Sequence, residues 1–261
     1  MDKQLIQQCG DELYQALTKK ETLRPFTERF DDISIEDAYH ISLRMVERRV
    51  QAGAKIIGKK IGVTSKAVQN MLNVHQPDFG YLTDDMAFSQ GSEMPISDRL
   101  IQPKAEGEIA FILKKDLIGP GITNADVLAA TECVMPCFEI VDSRIENWQI
   151  KIQDTVADNA SCGLFVLGDT AISPSQVDLS TCGMVVEKNG QIISTGAGAA
   201  ALGSPVNCVT WLANTLGEFG IPLKAGEVIL SGSLVPLEPV QAGDFMTVSI
   251  GGIGSASVRF T

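Results

Sequence analysis

The chain has 261 residues, 44% hydrophobic and 20% charged, a composition that excludes disordered and collagen-like classes and suits one large domain or one domain with a small appendage. Lysine and arginine number 21 against 32 aspartates and glutamates, a net charge of −11. A surface of that sign repels phosphate backbones, so no nucleic acid and no anionic membrane is expected as a partner; a small anionic substrate stays open, because a local pocket can reverse the field. The apolar runs are a few residues long, against about 18 for a membrane span.

Leu5, Ile6, Cys9, Leu13 and Leu17 recur at helical spacing, and Pro25 interrupts. Ser34-Ile35-Glu36-Asp37 resembles a capping box, and Ala38, Ile41, Met45 and Val46 continue a helical stripe to Gly53. Arg44, Arg48 and Arg49 in this segment read as a solvated face. Residues 56–63 read as a strand, 65–72 as a short helix, and His75-Gln76-Pro77-Asp78-Phe79-Gly80 as a turn-rich stretch. Residues 105–113 alternate as a strand. Asn124 is placed to cap a helix through 134, Pro136 to stop it, and 137–141 to form a further strand. Asn189-Gly190 between two alternating segments signals a hairpin. Ser204-Pro205 opens a helix whose face is Val206, Val209, Leu212, Ala213, Leu216 and Phe219, with Gly220 ending it. Residues 228–230, 245–250 and 255–260 read as short strands between glycines. The pattern is a helical N-terminal part, roughly 1–55, then a mixed core rich in short antiparallel strands, and the lack of regular β-α-β alternation argues against Rossmann and TIM folds.

The start, Met1-Asp2-Lys3-Gln4, lacks the basic and apolar regions of a secretory signal, and the six cysteines are read as reduced thiols of a cytoplasmic protein. Cys133 and Cys137 are four apart, but no second Cys/His pair completes a zinc site, since His40 and His75 are the sole histidines. The same shortage leaves triad hydrolase chemistry without support. Gly196-Ala197-Gly198-Ala199-Ala200 lacks the lysine of a phosphate-binding loop.

Glu106 and Glu108 carry the most information. Two apart on a strand, they project from one face, with Ile109 and Phe111 on the other. Two carboxylates in an apolar strand are costly if buried and uncompensated. A divalent cation compensates them, and all-oxygen ligands favour Mg²⁺ or Mn²⁺; the alternative is an exposed strand edge with solvated glutamates. Glu139 repeats the oddity in Cys137-Phe138-Glu139-Ile140-Val141, where it either completes a three-oxygen site or forms an interface salt bridge. Lys59 and Lys60 fall on opposite faces of a glycine-bracketed strand, as edge protectors or with one turned inward to a carboxylate or a proton transfer. Asp78 reads as a turn residue or an active carboxyl, and 154–161 as a ligand-binding loop or a plain turn. Met71, Leu72 and Val74 read as core.

Several segments together resemble a known family, essentially end to end. They are Gly58-Lys59-Lys60-Ile61-Gly62-Val63-Thr64-Ser65, Gln76-Pro77-Asp78-Phe79-Gly80, Ala105-Glu106-Gly107-Glu108-Ile109-Ala110, Glu139-Ile140-Val141-Asp142-Ser143-Arg144, Val156-Ala157-Asp158-Asn159-Ala160-Ser161 and Leu202-Gly203-Ser204-Pro205. The family is that of the 2-hydroxypenta-2,4-dienoate (2-oxopent-4-enoate) hydratases of bacterial meta-cleavage pathways for aromatic compounds, in the fumarylacetoacetate hydrolase superfamily. The resemblance implies an α+β fold, with a helical N-terminal region over 1–75 and a mixed β-roll catalytic core over 76–261. It implies that Glu106, Glu108 and Glu139 hold Mg²⁺ or Mn²⁺, that Lys60 and Asp78 are the active-site lysine and aspartate, and that Ser161, with Leu72, contacts the substrate. That substrate is a small 2-oxo or 2-hydroxy-dienoate, hydrated to 4-hydroxy-2-oxopentanoate. The 4-oxalocrotonate decarboxylases share most of these motifs but carry an apolar residue where this chain has Asp78; decarboxylation and a non-catalytic partner role are the alternatives. The superfamily's hydrolases use a histidine-assisted water, for which this chain offers no histidine. A homo-oligomer is expected, able to associate with the decarboxylase.

Overall fold

The computed structural model describes residues 1–261. Its N-terminal helices follow the sequence signals closely. α1 (Lys3–Lys19) starts where the Asp2 carboxylate accepts the Leu5 amide proton. After α2 (Phe26–Arg29), α3 (Ile35–Gln51) opens on the Ser34/Asp37 capping box. Cys9 and Leu13 of α1 pack on Ala38, Ile41 and Met45 of α3, forming a small core separate from the main one. The arginine face is not solvated throughout. Arg49 is buried and donates to Asp85 at 2.7 Å, and Arg44 reaches Asp11 at 2.8 Å, so long-range carboxylates have drawn two of the three inward.

The rest of the chain lays down two sheets. The strands are β1 (Ile56–Gly62), β2 (Asp78–Thr83), β3 (Ala87–Ser89), β4 (Glu93–Met94), β5 (Lys104–Leu113), β6 (Thr131–Val141), β7 (Leu164–Leu167), β8 (Gly183–Lys188), β9 (Gln191–Ala197), β10 (Val228–Leu230), β11 (Glu238–Pro239), β12 (Phe245–Ile250) and β13 (Gly254–Phe260). Between them lie α4 (Lys66–Leu72), α5 (Ile96–Arg99), α6 (Asn124–Ala130), α7 (Ile152–Ala157) and α8 (Pro205–Gly217). The large sheet runs β2-β1-β10-β5-β6-β7-β3, with β11 added to β5, and the smaller runs β4-β13-β12-β8-β9. Most pairings are antiparallel; β1/β10, β3/β7 and β4/β13 are parallel. This is the mixed-sheet α+β architecture expected from the sequence. Residues 56–62, read with the N-terminal region above, form an interior strand of the large sheet.

Three local readings are corrected. The stretch from His75 is a turn only to Pro77: Asp78 opens β2, every residue of which is buried. The helix from Asn124 ends at Ala130, and the chain runs straight on as β6 through Pro136. Proline is tolerated there because its carbonyl, and with it the ring nitrogen, faces the Gly168 amide just beyond the end of β7, where no ladder bond to β5 is forfeited. Phe219 lies past the end of α8 and is 71% exposed, while Val206, Val209, Leu212, Ala213 and Leu216 are buried as expected.

Other signals have clear structural outcomes. The Asn189-Gly190 hairpin is present, with both residues at positive φ, 53° and 79°. Added side chains at Gly196 and Gly198 would meet the backbone of Leu234 and Leu179, so that glycine run serves close packing. All six cysteines are free. Cys133 and Cys137 sit four apart on an extended strand, about 13 Å along it, too far to share an ion. No helix is long and apolar enough to cross a membrane.

Candidate active site

β5 and β6 build the site. Alternation turns Gly107, Ile109 and Phe111 toward one side of β5 and Glu106 and Glu108 toward the other. The Gly107 side faces the smaller sheet so closely that a Cβ there would stand 2.7 Å from the Met184 sulfur. Antiparallel register sets Glu106 directly opposite Glu139, and Glu108 opposite Cys137. Directly paired side chains start about 4.5–5.5 Å apart, so two carboxylates are forced together and the third joins on the diagonal. Ligand oxygens of all three lie within 4.8 Å of one another.

Such a pair of like charges is destabilising by itself, and burial makes it worse. Glu108 and Glu139 are fully buried. Glu108 Oε2 accepts the Gly232 amide proton at 2.8 Å, but its Oε1 and both Glu139 oxygens have no hydrogen-bond partner. Burial raises the pKa of all three carboxyls, and the neighbouring carboxylates add to the effect at Glu108 and Glu139, the latter reaching about 8. Orphaned, convergent, desolvated oxygens fit a hard divalent cation, which would satisfy the lone pairs and cancel the charge.

β1 and β2 supply the neighbouring groups. In their register Lys60 faces Gly80 and Gly62 faces Asp78. Lys60 Nζ stands 3.3 Å from Glu139 Oε2. Burial opposes its charge, but Glu139, Asp78 and Glu106 outweigh burial and raise its pKa, so it stays an ammonium. Asp78 is buried with Oδ1 unpartnered; burial raises its pKa against the pull of Lys60. Gly62 makes the juxtaposition possible, since a Cβ there would run into Asp78 Oδ1 and come within 3.2 Å of Lys60 Nζ. Lys59 points to the opposite face and forms a separate buried pair with Glu227 at 2.7 Å. Neither lysine protects an edge, because β1 lies between β2 and β10.

A cavity of about 720 Å³ opens over these groups. Lys60, Asp78, Glu106, Ser161 and Leu72 all line it, while Glu108 and Glu139 lie behind the wall. Leu72 comes from α4, with Val68 and Met71, and also packs with Val74 toward the small helical core, whereas Met71, expected in the core, is 75% exposed. Ser161 comes from a turn in which Asn159, Ala160 and Ser161 all have left-handed φ, 53°, 51° and 52°. Side chains in that region are strained, and buried polar contacts hold them there. The Asn159 side chain acts like a strand, accepting the Tyr81 amide proton at 2.8 Å and donating to the Tyr81 carbonyl at 2.9 Å. The fully buried Arg144 guanidinium donates to Asp158 Oδ1 and to the Asp158 and Cys162 carbonyls. Ser161 Oγ lies 3.1 Å from Thr155 Oγ1. Residues 154–161 are therefore the end of α7 plus a clamped turn at the cavity wall. Thr155, within the candidate loop 154–161, also lines the cavity, as do Lys104, Trp148 and Ser233, which were not singled out from sequence; of these, Lys104 carried a usable signal, lying two residues before Glu106 on the same strand face.

Comparison with known proteins places this geometry. Residues 50–261 match the fumarylacetoacetate (FAA) hydrolase C-terminal family. A Pseudomonas putida protein named 2-hydroxypent-2,4-dienoate hydratase is 78% identical over 221 residues, 85% of this chain and 100% of that protein. A Comamonas testosteroni 2-hydroxyhexa-2,4-dienoate hydratase is 59% identical over 261 residues, covering 100% of this chain and 99% of its own. Among solved structures, 4-oxalocrotonate decarboxylase from Pseudomonas putida G7, complexed with magnesium and adipate, superposes with a TM-score of 0.96 at 37% identity, over 100% of this chain and 99% of that one.

Proposed function

Because this chain belongs to the fumarylacetoacetate hydrolase family, we propose that it is a metal-dependent hydratase, a carbon–oxygen lyase. It adds water to 2-hydroxypenta-2,4-dienoate to give 4-hydroxy-2-oxopentanoate, a step of aromatic meta-cleavage catabolism. The observation that carries this reading is its identity, 78% and 59%, to two proteins named as hydratases of such dienoates. The decarboxylase likeness is equally extensive in fold but weaker in sequence, at 37%.

Glu106, Glu108 and Glu139 would hold the cation, Mg²⁺ or Mn²⁺, whose chemistry when bound is Lewis-acid withdrawal of electron density from the substrate's C2 oxygen. Ketonisation with protonation at C5 gives 2-oxopent-3-enoate. Water then adds at C4, conjugate to the ketone, with one proton delivered to C3. Lys60 and Asp78 are assigned to these proton movements. Lys60, held as an ammonium in the free site, has a proton to lend and places a positive charge beside the reacting oxygens. Asp78 has a pKa raised by burial, which brings it closer to the range in which a carboxyl both gives and takes a proton. Ser161 and Leu72, both on the cavity wall, are assigned to orienting the substrate. Six free cysteines support a cytoplasmic location, and a homo-oligomer able to associate with a decarboxylase extends the same reading.

The test is a paired ultraviolet assay on metal-free protein with Mg²⁺ or Mn²⁺ restored, one cuvette holding 2-hydroxypenta-2,4-dienoate and the other 4-oxalocrotonate. Metal-dependent loss of the dienoate with formation of 4-hydroxy-2-oxopentanoate, and no CO₂ from the second cuvette, is the expected result. CO₂ release without hydration would identify a decarboxylase instead.

A further inference from the structure

Two lysines line the cavity, and their circumstances differ. Lys60 is paired with Glu139, whereas Lys104 forms no ion pair and sets its Nζ 4.2 Å from the centre of the Trp148 ring. Lys104 precedes Glu106 by two residues on β5, so both side chains leave the strand on the same face. Val141 stands opposite Lys104 on β6, and Val141, Ile150 and Leu237 are among the apolar residues that line the same cavity. The platform under Lys104 is fixed. The Trp148 indole N–H donates to the Gln102 carbonyl at 3.0 Å, and Asn147 and Trp148 both hold left-handed backbone at φ 54°. Strained backbone maintained at a cavity wall is a reason to look for function there.

In a protein of net charge −11, whose cavity also presents Asp78, Lys104 is the lining lysine left without an ion pair and so free to meet an anionic substrate. We propose that Lys104, seated on Trp148, receives the carboxylate of the bound acid and so determines specificity for anionic substrates, with Trp148 as a positioning residue. A carboxylate has two oxygens, so this contact need not displace one bound near the glutamates. The inference rests on the proposed function insofar as the ligand is a short 2-oxo acid.

The experiment uses the Mg²⁺-loaded protein and 2-oxopentanoate, a saturated probe that cannot be hydrated. Binding is measured by calorimetry, alongside kcat and KM on the dienoate. A charge-assisted hydrogen bond predicts that Lys104→Met weakens 2-oxopentanoate binding by about 10- to 100-fold. KM should rise by a similar factor while kcat changes little. Lys104→Arg should recover most of the affinity, and added salt should weaken binding to the wild type more than to Lys104→Met. Trp148→Leu should shift KM in the same direction by less. Lys104→Gln is the second variant if Lys104→Met does not fold. Unchanged 2-oxopentanoate affinity in the folded variant overturns the inference. If the wild type fails to hydrate the dienoate while Lys104→Met still loses affinity, the proposed function falls and this inference stands. Hydration by the wild type with KM unaltered in the variant gives the reverse.

Discussion

Glu106, Glu108, Glu139 and Asp78 set four carboxyls around one ammonium, Lys60, in a region where three oxygens of the triad have no hydrogen-bond partner. An imbalance of that kind persists in a fold only when something else neutralises it. Glu106→Gln keeps size and shape but removes a ligand charge. Hydration should fall by at least the 10- to 100-fold that even outer-shell metal partners are worth. The far-ultraviolet spectrum should be retained, and the rise in Tm on adding Mg²⁺ should disappear; a wild-type rate in this variant would mean the metal assignment is wrong. Gly62→Ala tests the neighbouring pair, because the added methyl lands against Asp78 Oδ1 and Lys60 Nζ. A displacement of about 1 Å is enough to lower kcat on the order of 100-fold, with only modest loss of stability. Equal turnover in Gly62→Ala would remove the Lys60–Asp78 juxtaposition from the mechanism.

At the scale of elements, the site is a product of strand register and of one clamped turn. Alternation along β5 was legible, because period-two patterning is local. That Glu139 would stand opposite Glu106 was not, since register depends on which strand pairs with which. Pro136 misled for the same reason: whether a proline forfeits a ladder bond depends on a neighbour, here Gly168, that lies 32 residues on. The turn at 159–161 depends on Arg144, whose partner Asp158 is fully buried with it. Arg144→Met leaves Asp158 and Asp142 as unpaired buried carboxylates, and urea unfolding should show a loss of about 3–5 kcal/mol. A loss below about 1 kcal/mol would show that the clamp is dispensable. The β8–β9 hairpin is tied to β12 by Asp244, which accepts from Asn189 Nδ2 at 2.9 Å and from the Gln241 amide at 3.0 Å and pairs with Lys188 at 3.3 Å. Burial works against its charge, but these donors more than offset it and hold its pKa below the usual carboxylate range. The unfolded state therefore binds this proton more readily. The contribution is complete above the unfolded pKa of about 3.9 and is lost as pH falls through the lower folded value. The stability difference between wild type and Asp244→Asn, followed by denaturation from pH 6 to pH 2, should shrink below about pH 4; a constant difference would dissociate Asp244 from acid unfolding.

Over the whole molecule, two sheets pack so that one side of β5 closes the interface with the smaller sheet and the other side faces the cavity. The sequence alone established the acidic composition, the capped helices α1 and α3, the Asn189-Gly190 hairpin, the closing strands and the carboxylates that stand out in apolar strands. Each of these is written in residue type and short-range spacing, and motif resemblance extended them to a family and a chemistry. Tertiary structure alone decided which side chains meet. It brought Lys60 within 3.3 Å of Glu139 across 79 positions of chain, drew Arg49 inward to Asp85, and turned Lys104 and Trp148 onto the cavity wall. Burial, pairing and pKa are set by groups distant in sequence, because charge and solvation respond to everything within a few ångströms and a strand pattern records only its own two faces.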